Sequence, residues 1–145
     1  MVRTRSRWTA VITLVACAVL LVVAGCSATG SADSSLVVRD SANGHTVSLT
    51  VGMRLEVILA SDYWTVQGSS RPHVLRQDGP TSQLPKPPSC GAIPGMGCVP
   101  IRTDFSAVAP GTVVITASRA SCGEAMRCMP DQQHFILTVV VRGKT

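Results

Sequence analysis

The chain is poor in charge: Asp, Glu, Lys and Arg make up 14% of its 145 residues. Beyond residue 25 there is no basic cluster of the kind that tracks a phosphate backbone, which excludes nucleic acid as an expected partner. The carboxylates are scattered, with no close pair to share acid and base roles. His45, His73 and His134 fall in strand-like segments away from any candidate nucleophile. An enzyme is therefore not expected. The spacings Cys-x7-Cys and Cys-x5-Cys are not those of zinc sites. Met96, Met126 and Met129 lie near Cys98, Cys122, Cys128 and His134, soft ligands that suit Cu(I), but the ordered Cys, His, Met run of a blue-copper site is missing. No metal or cofactor is expected, and methionines in loops read instead as adaptable apolar contacts for a protein partner. After the first 25 residues no apolar stretch is long enough to cross a bilayer, and no helical period appears.

What is present begins at the N-terminus. Arg3, Arg5 and Arg7 precede an almost uncharged apolar segment at 8–23, which ends in Val22-Val23-Ala24-Gly25-Cys26. This resembles the lipobox of bacterial lipoproteins. The resemblance implies cleavage between Gly25 and Cys26, diacylglycerol on the Cys26 thiol, and a lipid anchor on the extracytoplasmic face of the cell membrane. The other reading is a transmembrane anchor, for which the run is marginal, since spanning takes about 20 apolar residues. Removing residues 1–25 as a signal peptide leaves 120, the size of one domain. Ten Lys and Arg then face eight Asp and Glu, a net charge of +2. Residues 26–35 are small and polar and read as a lipidated flexible tether to a domain at 36–145.

Cys17 leaves with the signal and Cys26 takes lipid, so an even four cysteines remain: Cys90, Cys98, Cys122 and Cys128. In an oxidising compartment these form two disulfides, for which three pairings exist. Local pairs, each closing a short glycine-containing loop, are the expectation; cross-pairing requires the two loops to be neighbours.

The domain reads as short strands. Val47, Leu49 and Val51 alternate with polar residues, and Gly52-Met53 turns the chain into 54–59, an expected hairpin. Segments 63–66 and 73–76 are shorter strand candidates. Residues 78–100 hold six prolines and four glycines and predict one long, disulfide-pinned loop. Strands resume at 103–108 and, after Pro110-Gly111, at 113–118. In the last, at 134–141, Phe135, Leu137, Val139 and Val141 form the core-facing set. About seven short strands with turn signals between them predict an all-β fold, an immunoglobulin-like β-sandwich, with Trp64 in its core.

From Thr46 to Val141 the order of segments resembles the chagasin-like inhibitors of papain-type cysteine proteases. The resemblance is carried by Val47-Ser48-Leu49-Thr50-Val51-Gly52 with Leu55-Glu56-Val57, by Tyr63-Trp64, and by 105–112 with Ile115-Thr116. Its loops depart from the family. Ala60-Ser61-Asp62 stands, several residues short, where the family has Asn-Pro-Thr-Thr-Gly. Gly95-Met96-Gly97-Cys98 echoes Gly-x-Gly-Gly. Arg119 is followed by Ala120-Ser121-Cys122 instead of Pro and an aromatic. The resemblance thus implies a binding end made of Ser61, Asp62, Gly95, Met96, Gly97, Arg119 and the 122–128 loop. On sequence alone the first functional expectation is a membrane-anchored, non-enzymatic protein-binding or structural module of the cell envelope. The alternative is a chagasin-like inhibitor whose partner is a cysteine protease.

Overall fold

The computed structural model describes residues 34–91, 97–123 and 125–145. The expected signal peptide, Cys26 and nearly all of the tether lie outside the described residues, as do Gly95 and Met96. Among the described residues eleven strands run in chain order: β1 Ser35–Arg39, β2 Thr46–Thr50, β3 Arg54–Leu59, β4 Thr65–Ser69, β5 Leu75–Gln77, β6 Ser82–Gln83, β7 Ile101–Ala107, β8 Gly111–Ser118, β9 Ser121–Gly123, β10 Met126–Arg127 and β11 His134–Arg142. One sheet has the order β1-β3-β7-β5, with β6 also on β7; the other has the order β2-β11-β8-β4; β9 and β10 form a small hairpin of their own.

Period-two alternation places one apolar row of each sheet in the core. Leu55, Val57 and Leu59 of β3 and Phe105 of β7 face Val113 and Ile115 of β8 and Phe135, Leu137 and Val139 of β11, and all are buried. Along β11 the buried set is Phe135, Leu137, Val139 and Val141, the set predicted to face inward. The fold is the expected all-β, immunoglobulin-like sandwich.

The expected hairpin at 45–59 does not form. The chain crosses from one sheet to the other at Gly52: β2 lies parallel to β11, with Leu49 opposite Val141, whereas β3 lies antiparallel to β7, with Leu55 opposite Phe105. Gly52, at φ +93°, donates its N–H to the Ala107 carbonyl at 2.8 Å, and the Ala107 N–H returns to the Met53 carbonyl at 3.0 Å. Alternation identifies which side chains face inward but not which strand they pair with. Here Leu49 and the β3 row are buried, and Val47 and Val51 are half-buried against the same core.

Strand β1 was not foreseen; its Val38 sits opposite Val57 in a parallel pairing with β3. Among the described residues of the loop at 78–100, the two of β6 pair with β7 and the rest are irregular, as its prolines require. Both disulfides are local: Cys90–Cys98, with Cα atoms 5.8 Å apart, and Cys122–Cys128, at 4.9 Å.

Candidate functional site at the loop end of the sandwich

Strand register brings three connections to one end. Leu59, the last residue of β3, is opposite Ile101, the first of β7; Thr65 of β4 is opposite Ser118, the last of β8, which is opposite His134, the first of β11. The turn 60–64, the chain entering β7, and the excursion 119–133 therefore emerge together.

The turn 60–64 is short and internally tied. Ser61 is buried; its Oγ accepts the Tyr63 N–H at 3.1 Å, so this hydroxyl shapes the turn and is not offered outward. Asp40 Oδ2 accepts the Ala60 N–H at 2.9 Å from the neighbouring 3-10 turn. Asp62 is exposed, and Tyr63 is half-buried. Trp64 points into the core, 8% exposed, with its ring edge-on to Phe135 at 6.5 Å. Its Nε1 is buried without a hydrogen-bond partner.

The other two connections pack on this turn. Gly97, at φ +60°, lies so close to the Tyr63 ring that a β-carbon there would collide with it. Only glycine gives both the left-handed backbone and the close approach. On the other side the Arg119 guanidinium lies 4.2 Å above the Trp64 ring, a cation–π contact, and its Nε donates to the Gln132 carbonyl at 3.0 Å. Of the predicted binding residues, then, Asp62, Gly97 and Arg119 gather at one end with Ser61 beneath them.

An open groove of about 890 Å³ runs along this end, walled by Tyr63, Thr65, Ser118, Arg119, Arg127 and His134. Its walls carry two guanidiniums and no carboxylate. The nearby cysteines are held in disulfides, and no group of three His, Cys, Asp or Glu that could hold a metal occurs among the described residues. Such a surface can bind a partner; the Ser118 hydroxyl, set opposite His134 by the strand register, accepts a hydrogen bond from the Gln67 side chain at 2.6 Å. Arg127 reaches this end as part of the 122–128 loop expected there, whereas sequence reasoning missed Tyr63, Thr65 and His134, because their meeting depends on which strands pair. The echo of Gly-x-Gly at 95–97 was the one local signal that backbone comes close here.

The outer face of the first sheet is different in kind. Arg102 sits within 2.8 Å of Asp104 and 3.7 Å of Glu56, and Arg76 within 3.5 Å of Asp78. The Asp104 hydrogen bond and charge, with Glu56 behind them, hold the exposed Arg102 guanidinium even more firmly protonated than usual. These charges satisfy one another across the face.

No protein-family model matches the chain, and no curated protein is similar to it in sequence. Among solved structures it is similar to the cysteine protease inhibitor EhICP2 from Entamoeba histolytica, at 10% identity and a TM-score of 0.54 over 75% of this chain and 96% of that one. Amebosin aligns over 75% of this chain and 98% of its own, at 16% identity and a TM-score of 0.49. The likeness to the first is one of fold: this chain is an immunoglobulin-like β-sandwich of the kind found in that inhibitor.

Proposed function

We propose that the domain inhibits papain-type cysteine proteases, binding them with its loop end. The observation that carries this reading is the convergence of three connections, through Gly97 on Tyr63 and Arg119 on Trp64, on a sandwich shared with a cysteine protease inhibitor. A wedge of preorganised loops blocks a protease cleft by occupying it; no catalytic group is needed, and little ordering entropy is lost on binding. A non-inhibitory binding module ranks first on sequence alone, because two of the three loops depart from the family. The fold comparison favours the inhibitor. The direct test is titration of the purified protein against a panel of papain-type proteases, with inhibition expected below micromolar concentration. Absence of inhibition of every member at micromolar concentration overturns the reading.

The same proposal places the domain on the extracytoplasmic face of the membrane, held by lipid on Cys26, because the segment before Cys26 has the charge and small-residue pattern of a lipoprotein signal. Metabolic labelling with palmitate should mark the wild-type protein and not Cys26→Ala. Equal labelling of both would refute it.

A further inference from the structure

Five large apolar side chains stand exposed among the described residues, and the two most exposed are Met126, at 60%, and Met129, at 67%. Both belong to the loop that Cys122–Cys128 closes or to the residue just after it. Between them Arg127, also exposed, forms one wall of the groove that Arg119 helps to build. We propose that this disulfide-closed loop determines specificity at the binding end: Met126 and Met129 enter an apolar subsite of the protease, and Arg127 meets carboxylates at the border of that subsite. The proposal rests on the inhibitor reading and names the chemistry of the partner surface.

Three observations carry it. First, the described residues of the loop are tied to the fold at several points. Met126 pairs with Gly123 across the β9–β10 hairpin, and Ala125 at its tip takes the left-handed φ of 58°. Cys128 is buried, and its N–H donates to the Ala120 carbonyl at 3.0 Å, while the Gln133 side chain donates to the Cys128 carbonyl at 3.1 Å. Gln132 Oε1 accepts the Met129 N–H at 3.2 Å, which fixes the second methionine to the same frame. Second, the two long apolar side chains leave most of their surface in solvent. Exposed apolar groups clustered on one short stretch of chain mark an interaction site, and the flexible thioether adapts to an irregular pocket. Third, the adjoining groove walls are cationic, so a partner surface that follows the methionines meets guanidinium groups. The turn 60–64 is short and Ser61 is buried, whereas Met126, Arg127 and Met129 are exposed.

The test compares the full-length protein, kept in mild detergent, with Met126→Ala/Met129→Ala and Arg127→Glu in inhibition titrations against the same protease panel. Melting curves should be unchanged, because the altered side chains are exposed. The double alanine variant should bind an inhibited protease about 10- to 100-fold more weakly, the range of anchor residues. Arg127→Glu should weaken inhibition most at low salt and flatten its salt dependence. If the wild type inhibits and the double alanine variant inhibits equally well, this inference is overturned while the inhibitor reading stands. If the wild type inhibits and Arg127→Glu leaves both potency and salt dependence unchanged, the carboxylate border is overturned. If the wild type inhibits no member of the panel, the inhibitor reading fails and this inference with it.

Discussion

The contact between Gly97 and Tyr63 joins the second connection to the first, and Gly97→Ala tests it. At φ +60° the added β-carbon meets a left-handed backbone and the Tyr63 ring together. The backbone conformation costs about 1–2 kcal/mol for a residue other than glycine. Pushing the ring aside adds about 1–3 kcal/mol, the range for overpacking. Gly44 provides the control: at φ +75° it has nothing within 4 Å of an added β-carbon, so Gly44→Ala carries the backbone cost alone. Gly97→Ala should therefore exceed Gly44→Ala by about 1–3 kcal/mol in urea denaturation followed by tryptophan fluorescence. Combining Gly97→Ala with Tyr63→Ala removes the collision, so the double-mutant cycle should return a coupling of the same size. Equal losses in the two glycine variants, or strict additivity of Gly97→Ala and Tyr63→Ala, would refute the packing of these connections and with it the shape of the binding end.

Other parts of the structure make separate predictions. Phe105 is fully buried between the sheets, and Phe105→Ala should destabilise by about 3–5 kcal/mol in the same denaturation assay. Replacing both Cys122 and Cys128 by serine opens a short loop and should cost about 2 kcal/mol by the loop-entropy relation, with the sandwich intact by circular dichroism. Arg119→Ala loses the contact over Trp64 and the bond to the Gln132 carbonyl; about 1–2 kcal/mol of stability and a shifted Trp64 emission are expected, with Arg119→Lys restoring only part.

The in-facing rows were legible in the sequence because each is a local property of one strand. Phe135, Leu137, Val139 and Val141 announce their face by alternation alone, and every one is buried. The loop at 78–100 was legible for the opposite reason, since its prolines cannot donate to a ladder. Partnership between strands is not local. The Gly52-Met53 turn looks the same in sequence whether it returns a strand to its neighbour or sends it to the opposite sheet, so the expected hairpin was a misreading of a crossing. The β9–β10 hairpin escaped notice because a covalent bond at its base, and not strand propensity, holds its few residues together. At the loop end of the sandwich, Asp62, Gly97, Arg119 and the 122–128 loop were singled out through a family's loop positions. Tyr63 and His134 were not, since they join the end only once β4, β8 and β11 are set side by side.

The claim that the three connections form the surface that seizes a cysteine protease is tested most directly by amide hydrogen exchange on the complex. With an inhibited papain-type protease bound, protection should rise at 60–64, at 97–98 and at 119–129, and nowhere on the outer faces of the two sheets. Protection centred on a sheet face, or an unchanged exchange pattern at those three connections in a complex that still inhibits, would contradict the account.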